Sequence, residues 1–127
     1  MKIAFSCDEI DFDANEKIDV LVLTDNSDLD KYTDLTIDVC IYDNSNINSL
    51  YKLKKVHNAV SCGMGESDSV TFSSISGGTS LVCIRRQIIF NKKIIYPCEF
   101  RSVYFHSLDL YSNLAFSLIK YLMQYDV

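Results

Sequence analysis

Two short stretches in the first third of the chain, Ile18–Thr24 and Ile37–Tyr42, are apolar at almost every position and rich in β-branched residues. A strand with one wet face alternates apolar and polar side chains. A run that is apolar nearly throughout needs cover on both faces, which is the situation of a strand inside a parallel sheet. Parallel neighbours cannot be joined by a tight turn, so the chain between them must cross over and return. The clusters that follow, Asp25-Asn26-Ser27-Asp28 and Asp43-Asn44-Ser45-Asn46, carry turn and helix-cap chemistry. With Lys2–Ser6 as another strand, Ile47–Val56 as a short helix and Ala59–Cys62 as a final strand, residues 1–62 are expected to form a parallel α/β part.

The pattern changes at Gly63-Met64-Gly65. Ser69–Ile75, Ser80–Ile89 and Lys93–Phe105 are separated by Ser76-Gly77-Gly78 and Asn91-Lys92, which are hairpin connections. Residues 63–106 are therefore expected to be a small antiparallel meander, with Pro97 marking an edge or a break. Leu108–Tyr125 has one narrow polar stripe, so residues 107–127 are expected to be a long helix buried on most of its circumference. The expected fold is α/β: a mostly parallel sheet in the first half, the meander in the second, and the C-terminal helix packed on the sheet. A length of 127 residues suits a single domain.

Charge is divided unevenly. Residues 1–50 hold three Lys against twelve Asp and Glu, whereas residues 51–127 hold nine Lys and Arg against five acids. A net charge of −5 argues against a nucleic-acid partner. Arg85-Arg86 and Lys92-Lys93 flank a predicted hairpin and could gather their charges on one tip. The N-terminal apolar stretch is too short for a signal peptide and no run approaches the ~18 apolar residues of a membrane span, so the expectation is a cytoplasmic protein without a membrane partner.

The search for chemistry is mostly negative. Five cysteines (Cys7, Cys40, Cys62, Cys83, Cys98) contain no C-x-x-C pair, which excludes a zinc ribbon and a thioredoxin-type motif. Cys40 and Cys83 sit in strand-like runs as small buried hydrophobes. His57 and His106, the only histidines, lie in unrelated contexts. No phosphate-binding loop is present, and Gly63-Met64-Gly65-Glu66 lacks the third glycine of a dinucleotide fingerprint, so it is a turn after a strand. The acids Asp8, Glu9, Asp11 and Asp13 lack the spacing of a calcium loop.

One resemblance ties the order of these segments together. Ile3-Ala4-Phe5-Ser6-Cys7-Asp8-Glu9 resembles a strand ending in Glu-x-Asp-Glu. Ile18–Asp25 followed by Asp28-Leu29-Asp30-Lys31-Tyr32 is similar to D-V-V-V-L-T-N … D-H-L-D-x-Y. Asp38–Asn44 resembles a strand ending in Asn-x-Asp-Asp. Ala59–Gly63 with Val70–Ile75 is similar to I-T-Y-G … T-V-T-A-S-S-I, and Leu108–Ala115 to H-N-x-x-N-x-L-A. These are motifs of the central domain of the Mur ligases, ATP-dependent enzymes that add amino acids to peptidoglycan precursors.

The departures are as informative. The family's metal-ligating glutamate falls at Ser6, its Asp-His pair at Ser27-Asp28, and its nucleotide-contacting His-Asn-x-x-Asn at Leu108-Asp109-x-x-Ser112. The phosphate loop, the lysine-bearing stretch and the C-terminal domain have no counterpart here. Magnesium and phosphates need hard oxygen ligands and a backbone cradle, and a carboxylate at Asp109 would repel a polyanion.

The resemblance therefore implies a truncated, degenerate ligase domain: a non-catalytic interaction or regulatory module with no catalytic residues, no metal and no cofactor. It would pair with a second copy or with a ligase-like protein. The candidate contact is the C-terminal helix through Leu110, Leu114, Phe116, Leu118, Tyr121 and Leu122. The alternative is a binding module with a residual nucleotide, UDP-sugar or divalent-metal site at the acidic strand ends, Asp8, Glu9, Asp28, Asp30 and Asp109.

Overall fold

The computed structural model describes residues 1–8, 10–13, 15–24 and 29–126. The fold is mixed α/β, as expected, with a parallel sheet, antiparallel sheets and a C-terminal helix packed on strands. The chain divides into two compact units, Met1–Ala59 and Val60–Val127.

The first unit is built on a four-stranded parallel sheet of β1 (Ile3–Phe5), β2 (Lys17–Val22), β3 (Thr36–Tyr42) and β4 (Lys55–Ser61), whose last residues lead into the second unit. Ile3 faces Val20 and Ile18 faces Ile37 across the ladders. Ile18, Val20, Leu21, Ile37, Val39, Cys40 and Ile41 have no more than 2% of their surface exposed, the two-sided burial their continuous apolar pattern requires. The crossovers are short turns of 3₁₀ helix at Asp30–Tyr32 and Asn44–Asn46, and one turn of helix, α1 (Ile47–Leu50). Tyr32 is fully buried and tilts against the Phe12 ring at 5.7 Å, so the β1–β2 and β2–β3 connections share one apolar cluster.

Helix α1 is shorter than the Ile47–Val56 segment expected. Asp43 and Asn46 form a reciprocal capping box on the 3₁₀ turn that runs into α1, and Asn46 Nδ2 donates to the Leu23 carbonyl at 3.1 Å. From Lys55 onward, however, side chains alternate between more and less exposed, and the chain goes straight into β4. Period two prevails over period 3.6 because the strand adds a ladder to the sheet.

The second unit holds a three-stranded antiparallel sheet in the order β5 (Val70–Ser76), β6 (Thr79–Ile84), β9 (Cys98–Val103), and a separate hairpin of β7 (Ile88–Phe90) and β8 (Lys93–Ile95). Both turns have the backbone their residues predict. Gly77 has φ +61°, and Asn91 and Lys92 have φ 52° and 62°, the paired left-handed geometry of a two-residue hairpin. The expected strand Ser80–Ile89 is interrupted at Arg85-Arg86-Gln87, and Lys93–Phe105 breaks at Tyr96-Pro97, where the missing proline N–H ends the ladder.

The arginines account for the first interruption. Arg85 Nη1 donates to the carbonyls of Gly65, Glu66 and Asp68 at 2.8, 3.2 and 3.4 Å, and Arg86 Nη1 donates to the Ser67 carbonyl at 2.5 Å. They clamp the 63–69 loop, so the basic residues do not collect on one hairpin tip. Lys93 reaches the other way and donates to the Tyr125 carbonyl at the C-terminal end of α2 (Leu110–Met123), where a cation is favoured.

Helix α2 starts two residues later than Leu108 because Asp109 is its N-cap, its side chain accepting from the Ser112 N–H. Leu114, Leu118 and Leu122 have none of their surface exposed. They belong to the chain's own core, so they are not available as the partner-facing surface expected of them. Leu110 and Phe116 are 42% and 40% exposed, and Tyr121 is half-buried.

Candidate functional site

Each acidic strand end among the described residues has its own local setting. Asp8 closes the end of β1: its carboxylate accepts the Phe5 N–H at 2.9 Å, and the Lys31 ammonium donates to its carbonyl oxygen. Asp30 is exposed at the start of a 3₁₀ turn. Glu9 and Asp28 lie outside the described residues, and Asp109 belongs to the second unit. Ser6, where the resemblance to the Mur ligases would put a metal-ligating glutamate, is buried and its hydroxyl accepts the Thr24 N–H at 2.7 Å, tying β1 to the end of β2. Among the described residues no group of three or more His, Cys, Asp or Glu side chains could hold a metal ion.

Burial pushes the Cys40 thiol up to about 12, far from thiolate at neutral pH. His57 Nδ1 lies 3.5 Å from Asp38 Oδ1 in the first unit, and His106 Nε2 lies 2.5 Å from the Gly77 carbonyl in the second. No helix among the described residues is long and apolar enough to cross a membrane.

Asp109 shows what its carboxylate does instead. The hydrogen bonds from Ser112 hold its pKa below the ordinary carboxylate value. A lowered folded-state pKa contributes stability that is present above the unfolded value and is lost as pH falls through the folded one. Asp109→Ala is expected to cost about 1 kcal/mol at pH 7. The difference from wild type should shrink as the pH of the thermal melts is lowered below ~3.9. A gap that is equal at pH 7 and pH 3 would rule out the charged cap as its source.

A different site emerges where β9 meets α2. Side chains 98, 100 and 102 turn towards the helix. The Phe100 and Tyr121 rings stack at 4.3 Å, the Ser102 and Ser117 hydroxyls are 2.7 Å apart, and Cys98 Sγ is 3.3 Å from the Tyr121 hydroxyl. Hydrogen bonding with Cys98, then with Tyr125, raises the Tyr121 pKa, so the phenol stays protonated. Phe100, Ser102, Ser117 and Tyr121, with Arg101, Lys120 and Gln124, border an open groove of about 330 Å³ beside the strand.

The strand itself is an edge, since β9 follows β6 at the end of the sheet. Tyr104 donates its N–H to the Gly78 carbonyl at 2.9 Å, which sets the alternation of the antiparallel ladder. Residues 98, 100 and 102 direct their backbone groups to β6, and Glu99, Arg101 and Val103 direct theirs outward. The side chains of these three are exposed.

The residue that organises this unit was not singled out from the sequence. Asn113, 1% exposed, accepts the Phe105 N–H with Oδ1 at 2.8 Å, while Nδ2 donates to the carbonyls of Phe105, Leu108 and Asp109 at 2.9, 3.3 and 2.9 Å. It binds the exit of β9 to the start of α2. The available signal was an amide beside Leu114 on the apolar side of the helix.

Compared with protein-family models, with characterised proteins and with solved structures, the chain has no match.

Proposed function

We propose that this chain is a non-catalytic interaction module on a Mur-ligase-like scaffold, which works by pairing with another protein strand rather than by transforming a substrate. The observation that carries the reading is the outer edge of β9. Its outward N–H and C=O groups at Glu99, Arg101 and Val103 lie beside a groove against α2. Backbone groups on such an edge are a template for a further strand, and proteins that avoid pairing blunt them with proline, bulges or repelling charges. Here the nearest proline is Pro97, before the strand begins, and β9 carries both signs of charge. The employment of Asp8, Ser6 and Asp109 in local backbone bonds also supports a role without nucleotide or metal.

The test is the association state together with the response to ligands. Sedimentation velocity over a hundredfold range of concentration is expected to give masses above one chain, with a melting temperature unmoved by magnesium–ATP or UDP-linked sugars. Arg101→Pro removes an outward donor and leaves the ladder to β6 intact, so it should return the mass to one chain with unchanged far-UV circular dichroism. A mass of one chain at every concentration, joined by a melting temperature several degrees higher with magnesium–ATP, would overturn the reading.

A further inference from the structure

A strand at an edge could accept many partners, but β9 carries information about which one fits. It reads Cys98-Glu99-Phe100-Arg101-Ser102-Val103, with opposite charges two residues apart on the exposed face and Phe100 between them on the helix side. Consider this strand beside a second copy of itself, antiparallel across a two-fold axis. Because Glu99, Arg101 and Val103 present the outward backbone, they must form the hydrogen-bonded pairs of the new ladder.

The central registers then differ sharply in charge. An axis through Arg101 sets that arginine against its own copy. An axis through Glu99 does the same with two carboxylates. Only the axis through Phe100 places Glu99 opposite Arg101, and symmetry repeats the pair on the other side. Like charges directly opposite are destabilising and unlike charges stabilising, so the sequence of the edge selects one register.

Resting on the reading that β9 accepts a strand, we infer that its occupant is the β9 of a second copy of this chain, paired antiparallel about a two-fold axis at Phe100. In this pairing Glu99 and the partner's Arg101 exchange both backbone hydrogen bonds, and their side chains form a cross-strand ion pair. Cys98 stands opposite Ser102, and the Phe100 residues of the two copies meet in the close, non-hydrogen-bonded position. Pro97 falls opposite Val103, where its carbonyl accepts the valine N–H and its missing donor leaves only the outermost carbonyl to solvent. The two three-stranded sheets become one sheet of six. The interface is isologous and closes on itself, so it yields a dimer rather than a fibre.

Charge reversal tests the register without touching the core, because Glu99 and Arg101 are both exposed. Glu99→Arg opposes Arg to Arg in both pairs, and Arg101→Glu opposes Glu to Glu. Each variant alone is expected to weaken dimerisation roughly tenfold to a hundredfold in sedimentation equilibrium. An equimolar mixture of the two restores both ion pairs in a heterodimer, as does the double exchange Glu99→Arg with Arg101→Glu in one chain. Failure of the mixture to associate overturns the inference.

Association that survives both single reversals but is lost in Arg101→Pro also overturns it, and leaves the edge as a docking strand for something else. Association indifferent to Arg101→Pro removes the edge itself, and the broader reading with it.

Discussion

Asn113→Asp should fold poorly at neutral pH and recover when the pH is lowered. The substitution replaces Nδ2, which donates to three carbonyl oxygens 2.9–3.3 Å away, by an oxygen that can only accept when ionised. A buried carboxylate facing three carbonyls is held in its neutral form, so its folded-state pKa rises above the unfolded value of ~3.9. A raised pKa gives stability that is fully present below the unfolded value and is lost as pH rises through the folded one. Thermal melts of the variant should therefore lie close to wild type near pH 3.5 and fall well below it at pH 7.

Asn113→Leu supplies the contrast. It takes the acceptor from the Phe105 N–H and the side-chain donor from three carbonyls at every pH, of which those of Phe105 and Asp109 keep a backbone donor, at a cost of about 3 kcal/mol, or roughly 10 °C in melting temperature. Its deficit should not depend on pH. If the Asp and Leu variants melt together at both pH values, the amide is not what binds β9 to α2.

The second large effect concerns Gly63. A methyl group on its Cα would stand 2.6 Å from Oδ2 of Asp68, which is only 4% exposed. That oxygen accepts the Gly65 N–H at 2.8 Å, and Asp68 returns its own N–H to the Gly65 carbonyl at 3.2 Å. The carboxylate has little room to retreat, because Arg85 holds the carbonyls of Gly65, Glu66 and Asp68. Gly63→Ala is expected to cost about 2 kcal/mol, through the displaced carboxylate and the bond it gives up. Gly78→Ala is the matched control, since a Cβ there meets nothing within 4 Å. Urea denaturation should separate the two variants; equal midpoints would mean that the loop yields without penalty.

How much of this was legible depends on the range of the interaction involved. The parallel strands at Ile18 and Ile37 announced themselves because burial on both faces leaves no polar positions, a property of each segment alone. The turns at Gly77 and Asn91-Lys92 were equally local. The end of helix α1 is not legible locally because Lys54 and Lys55 suit either period, and only the neighbouring ladder decides between them. The break at Arg85 has its cause about twenty residues earlier, in carbonyls of the 63–69 loop that have no sequence signature. Apolar side chains do not reveal which neighbour covers them, so Leu114, Leu118 and Leu122 fit a partner surface by sequence and the chain's own core by structure. Asp109 followed by Ser112 ahead of an apolar run was a cap in plain view. Pro97 marks an edge or a break in Lys93–Phe105, but which side of β9 stays open follows from strand order, which is a property of the whole unit.

That strand order also bears on how the protein comes into being. In the first unit, sheet neighbours are chain neighbours, β1-β2-β3-β4. Each strand closes only a short loop to reach its partner, and none has to wait for residues still to be translated. The second sheet cannot do this: β9 reaches β6 only after the β7–β8 hairpin has been made. Synthesis from the N-terminus can thus lay down one sheet strand by strand before the other has all its parts. The acidic half of the chain emerges first, and it can fold first.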